Sequence, residues 1–322
     1  MKYSLPYTVN LFNYLDDNKD AMPLVNDIYF SDDSLFPSSR VSNFSEPHWE
    51  EITNIKKSFG VGLNYVLNPT VWENKFYTPR GKIEFIRHIE KLKNNGVDIL
   101  TLNNTLLLND KDLRSSLNGM ILKNSVNNLI TSLEQVIFLA EELKLTHIFL
   151  GRDINRDYDE IRKISKYSKA RGITLHALVN EFCFNKCNYK LFCDSIVSQG
   201  YKEDPVSYTK LDSKRKTLGS GDNWDISKYL KCGIIYPKQV PEVSKYIDIF
   251  KISGRMRHIS TLRLTLDAYL KGSDVLYTDL ISHRVDTGSI KLSDLPEDYL
   301  EKTMNCKSQC HVCKYCDAVF GG

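Results

Sequence analysis

The chain has 322 residues, 42% of them hydrophobic and 26% charged, which fits a compact globular protein and excludes collagenous and disordered classes. With 43 Lys and Arg against 40 Asp and Glu the net charge is +3, too small to draw nucleic acid or an anionic membrane by charge alone. No apolar run approaches the ~20 residues of a membrane span and residues 1–10 lack a signal-peptide pattern, so a cytoplasmic location without a membrane partner is expected.

Apolar, β-rich segments alternate with longer helical patterns, the mark of βα units and a parallel sheet. Gly62 to Asn68 reads as a strand. Arg80 to Asn95 reads as a helix with Ile83, Ile86, Ile89 and Leu92 on one face, closed by Gly96. A strand over Val97 to Leu102, the loop Asn103-Asn104 and a strand over Gly119 to Lys123 follow. A helix from about Thr131 to Leu143 then carries Leu133, Val136, Ile137 and Ala140 as its core stripe. Next come the strand Thr146 to Leu150, a helix ending near Gly172, the strand Ile173 to Val179, and a late strand Ile247 to Ile252. Five or six βα periods without a dinucleotide-binding glycine fingerprint predict an α/β fold of TIM-barrel-like (β/α) type rather than a Rossmann sheet. The polar stretch Gly200 to Asp225 reads as a long functional loop. The expected organisation is a barrel over 1–296 with a small cysteine-rich appendage over 297–322.

The eight cysteines form two groups, and in a reducing cytoplasm such spacing points to metal or redox chemistry rather than disulfides. Cys183, Cys187 and Cys193 directly follow the strand ending at Val179, at the strand end where (β/α) barrels place their chemistry. Cys232 completes a set of four that suits an iron–sulfur cluster or tetrahedral zinc, the plain alternative being small buried core residues. The tail carries Cys306, Cys310, Cys313 and Cys316, a C-x3-C-x2-C-x2-C run able to wrap a second, separate metal centre, either a 4Fe-4S cluster or zinc. Its first three cysteines match the radical S-adenosylmethionine pattern, but that motif belongs after the first barrel strand, not at the C-terminus.

His176 to Cys187 (HALVNEFCFNKC), Cys232, Phe149 to Asp153 (FLGRD) and Phe250 to Met256 (FKISGRM) resemble the collagenase-like peptidase family, U32. The resemblance spans about half the chain. In FKISGRM, Ser253 stands where glutamate is common, and the tail cysteines are additional. The resemblance implies a barrel-like fold and a 4Fe-4S cluster on Cys183, Cys187, Cys193 and Cys232, as in family members that hydroxylate tRNA or ubiquinone precursors without oxygen.

Lys251, Arg255 and Arg257 follow a buried strand and should emerge near the barrel mouth, where an arginine fork suits carboxylate or phosphate; ordinary salt bridges are the alternative. Arg152 and Asp153 end one strand, Asn180 and Glu181 another. Glu181 is a candidate general acid or base if burial raises its pKa, or else a helix cap. His176 reads as a barrel-interior histidine. No Ser-His-Asp arrangement and no His-Glu-x-x-His helix appears. The expected function is an iron–sulfur enzyme acting by redox chemistry on a small or peptide-borne substrate, with oxygen-independent hydroxylation implied by the resemblance. The alternatives are a non-catalytic iron–sulfur or zinc partner subunit of a biosynthetic complex and a peptidase-type hydrolase.

Overall fold

The computed structural model describes residues 1–32, 48–181, 183, 185–198, 226–255, 257–281 and 289–320. The whole of the expected loop Gly200 to Asp225, together with Phe182, Phe184 and Met256 of the family-like motifs, lies outside them.

Eight parallel strands close into a barrel in chain order: β1 (Lys2–Pro6), β2 (Val25–Phe30), β3 (Gly62–Leu67), β4 (Ile99–Leu102), β5 (Ile121–Asn124), β6 (His147–Phe149), β7 (Thr174–Leu178) and β8 (Ile249–Lys251). β8 pairs with both β7 and β1, so no strand is left with an open edge. Helices packed outside the strands complete a TIM-barrel-like fold. Six of the eight strands match the expected ones. β1 and β2 are additional, and their sequences, KYSLP and VNDIYF, explain why the apolar pattern is hard to see there.

Both strands turn polar side chains into the barrel. Ser4 Oγ donates to Asp27 at 2.7 Å, Asn64 Nδ2 donates to the same carboxylate at 2.8 Å, and Thr101 Oγ1 donates to Asn64 at 2.9 Å, joining β1 to β4. Lys123 of β5 lies 4.0 Å from Asp27, both fully buried; because β2 and β5 are not neighbours, this contact crosses the barrel interior. Burial pushes the Asp27 carboxyl up, but Lys123 and the three side-chain hydrogen bonds outweigh it and hold it below the usual carboxylate range. Burial pulls the Lys123 amine down against the attraction of Asp27. His176 sits in this interior as expected, its Nε2 3.1 Å from His147 Nδ1.

The outer helices obey their period with one correction. The helix Pro79–Asn94 buries Gly81, Phe85, His88, Ile89 and Leu92, while Ile83, expected in the core, is half exposed. The apolar residues at 83, 86, 89 and 92 recur strictly every third position, whereas a helix face advances by alternating three and four. Thr78 caps this helix through its hydroxyl, with Pro79 at the first helical position. In the helix Leu133–Glu141 the fully buried residues are Val136 and Leu139, with Leu133, Ile137 and Ala140 at the margin.

His88 is buried against the Tyr65 ring, and burial lowers its pKa from 6.5 to about 4. The unfolded chain therefore takes up a proton that the folded chain refuses between pH 6.5 and 4, so this group costs stability as pH falls through that window. Unfolding in urea at pH 8 and pH 5 should show an acid loss that is about 2 kcal/mol smaller in His88→Phe than in the parent chain. Equal losses in both would place the effect elsewhere.

The C-terminal segment packs onto the barrel. Tyr299, from the helix Glu297–Met304, is fully buried and donates to the Leu230 carbonyl at 2.8 Å. Tyr315 stacks on it at 6.2 Å, and Lys231 pairs with Asp317. Among the described residues no helix is long and apolar enough to cross a membrane.

Candidate active site at the barrel mouth

The chain folds so that Arg152, Glu181, Lys251 and Arg255 share one place. Arg152 opens a short turn, Arg152–Ile154, just beyond β6; Glu181 lies three residues beyond β7; Lys251 ends β8 and Arg255 follows it. These are C-terminal strand ends, and in a closed parallel barrel they converge on one rim. All four line a cavity of about 80 Å³, together with Tyr29, Asp194 and Ser253.

Arg152 is the hub of the acidic side. Its Nη1 donates to Glu181 Oε1 at 2.9 Å and its Nη2 to Asp194 Oδ2 at 2.6 Å, with the guanidinium almost fully buried. Burial works against the charge, but Glu181, Asp194, Cys183 and Asp153 outweigh it and keep the guanidinium protonated. Glu181 is thus held by an ion pair. Asp194, on the helix Lys190–Ser198, had no signal in the sequence, since its reach to Arg152 depends on how that helix docks.

Lys251 is the basic side. Its Nζ lies 3.7 Å from the centre of the Tyr29 ring and 5.7 Å from that of Phe149. A ring face favours the ammonium form. Burial opposes it and, with repulsion from Lys123 and Arg255, pulls the pKa well below 10.5, outweighing Asp27 and Glu181. The charged form of this amine is therefore disfavoured at the mouth. Arg255 reaches across to the Ser31 hydroxyl beyond β2.

The remaining candidates hold the frame. Asn180 is fully buried and clamps the chain, donating to the carbonyls of Ser253 and Leu280 at 3.0 Å each while accepting from the Ser253 N–H at 2.7 Å. Asp153 accepts from the Lys186 N–H at 3.0 Å and from the Lys190 ammonium. Arg257 donates to the carbonyls of Thr261, Asp279 and Ile281 and to Thr265 Oγ1, so it ties segments together away from the cavity.

The segment carrying Cys232 is pressed against the Arg152 turn. Asn155 Nδ2 donates to the Leu178 and Gly233 carbonyls at 2.7 Å each, and a Cβ at Gly233 would stand 2.9 Å from the Arg152 carbonyl oxygen. Gly233→Ala should therefore cost about 1–3 kcal/mol, because the contact is with backbone that cannot rotate away. A melting temperature equal to the parent's would show that the turn can shift.

Cys183 and Cys232 are buried, Cys232 in the apolar core beside Tyr229 and Tyr277, while Cys187 and Cys193 are half-buried. Their thiol chemistry suits iron–sulfur or zinc. As the side chains stand, among the described residues no three His, Cys, Asp or Glu groups converge closely enough to hold a metal ion.

No family model matches the chain. The uncharacterized protease MJ1657 of Methanocaldococcus jannaschii is 26% identical over 340 residues, covering 97% of this chain and 93% of its own. The structure of the U32 peptidase Mk0906 superposes with a TM-score of 0.53 at 13% identity, covering 78% of this chain and 92% of that one, a likeness of fold. A muconate cycloisomerase from Pseudomonas fluorescens reaches a TM-score of 0.38 at 12% identity over 62% of this chain and 49% of that one, too low to carry an argument.

Proposed function

We propose that the chain is a U32-type peptidase, a hydrolase that cleaves peptide bonds at the C-terminal mouth of its barrel. The carrying observation is the buried Lys251 amine, its charged form disfavoured, lining one small cavity with Arg255 and the Arg152–Glu181 pair. Support comes also from a relative named as a protease whose likeness runs over 97% of the chain.

In this reading a water in the cavity gives its proton to the Lys251 amine as its oxygen bonds to the peptide carbonyl carbon. Arg255 donates to the carbonyl oxygen as it gains charge. The proton then passes from Lys251 to the departing nitrogen as the C–N bond breaks, regenerating the amine. One water is consumed, and no oxidant or metal enters the balance. The Arg152–Glu181–Asp194 group holds the rim and offers its carboxylates to a substrate amino group. Incubating the full chain with a mixed peptide library and reading new N-termini by mass spectrometry tests this. New termini that vanish in Lys251→Met are the expected result; none from the parent chain would sink the reading.

A second reading is iron–sulfur redox modification of a small or peptide-borne substrate. It is favoured by Cys183, which lies two residues from Glu181 and close enough to Arg152 to bear on its charge. Cys183→Ala should then lose iron, sulfide and activity together, whereas the hydrolase reading leaves peptide cleavage in that variant.

A further inference from the structure

Cys306, Cys310, Cys313 and Cys316 all line a second cavity, of about 460 Å³. Cys310 and Cys313 begin and end one short helix, so they stand nearly one turn apart on the same side. Ser308 and Lys314 have φ of 56° and 54°, left-handed values that fold the chain back on either side of that helix. The Ser308 N–H donates to Cys306 Sγ at 3.3 Å, a bond that strengthens when the sulfur is a thiolate.

The group that makes this a site lies on the barrel side. Arg156 also lines the cavity and is 3% exposed. Its hydrogen-bond partners are neutral: the Leu230 carbonyl, the Tyr299 hydroxyl at 3.5 Å and the Cys316 thiol. Its Nε meets no acceptor, and among the described residues no carboxylate pairs with it. Lys231, Lys302 and Lys307 line the same space, but each has an aspartate partner. A buried guanidinium held only by neutral groups is an uncompensated charge, and four protonated thiols leave it so.

We propose that the four tail cysteines bind a metal centre as thiolates, and that Arg156 is the buried counter-charge to it. Four thiolates around Zn²⁺, or around a 4Fe-4S core of charge 2+, carry a net charge of about −2, and this anion meets the guanidinium that has no carboxylate. The thiols now stand too far apart to hold a single ion. Binding releases their protons and draws them together, so the metal orders the short helices as it is captured. Zinc and the cluster use the same tetrathiolate chemistry, and metal analysis separates them.

The test is metal and sulfide content of the full chain, purified without oxygen, against Cys310→Ser/Cys313→Ser. The double variant should lose one whole centre, about four iron with four sulfide or about one zinc per chain, while metal elsewhere and the far-ultraviolet circular dichroism of the barrel are unchanged. Loss of iron with sulfide identifies a cluster, and loss of zinc identifies a zinc site; either upholds the tetrathiolate centre. Equal metal in parent and variant overturns it. Should the double variant fail to fold, Cys313→Ser at the exposed position gives the same reading.

Discussion

Lys251→Met is expected to lower peptide cleavage by roughly 10²–10⁴-fold, the usual contribution of a positioned acid or base, without weakening the fold. The amine lies over the Tyr29 ring and lines the cavity, whereas Asp27 of Val25–Phe30 is tied to Ser4, Asn64 and Lys123. The Lys251 pKa is lowered, so the unfolded chain binds a proton that the folded chain does not, and below pH 10.5 this lysine costs stability as pH falls. Methionine removes that cost, and the melting temperature should hold or rise. The parent's rate should climb with pH to a plateau reached well below 10.5. A methionine variant that cleaves at the parent's rate would remove Lys251 from the chemistry.

Arg152→Ala should be the most destabilising of the mouth variants, by about 3–5 kcal/mol in urea unfolding, because it removes a buried guanidinium that pairs with two carboxylates. The side chains of Glu181 and Asp194 are only 9% and 18% exposed, so water cannot screen them as it would at the surface. Arg152→Lys should recover part of the loss, since one ammonium cannot fork to both acids in the geometry of a guanidinium. A loss below about 1 kcal/mol would mean that the pair behaves as a surface salt bridge.

The barrel was legible from β3 onward because those strands are nearly continuous apolar runs, as GLNYVL and TLHAL show. It was not legible in β1 and β2, where Ser4 and Asp27 interrupt the run. Their polarity makes sense only once Lys123 of β5 is known to face them across the interior. Arg152, Glu181, Lys251 and Arg255 could be named in advance because each sits at the end of a readable strand. Asp194, Ser31 and Arg156 could not, since their partners come from elements 42, 224 and 74 residues away and are set by docking rather than by pattern. The tail cysteines could be grouped by their spacing alone; the buried Arg156 beside them appears only in the folded chain.

On the proposed function, a water activated by Lys251 hydrolyses a peptide bond at the barrel mouth. The most direct measurement is cleavage of a susceptible peptide in water enriched in oxygen-18, with parent chain and Lys251→Met side by side. The parent should place one oxygen-18 in each new C-terminal carboxylate, and the variant should place almost none. Equal labelling in both, or modified peptide with no new carboxylate, would contradict it.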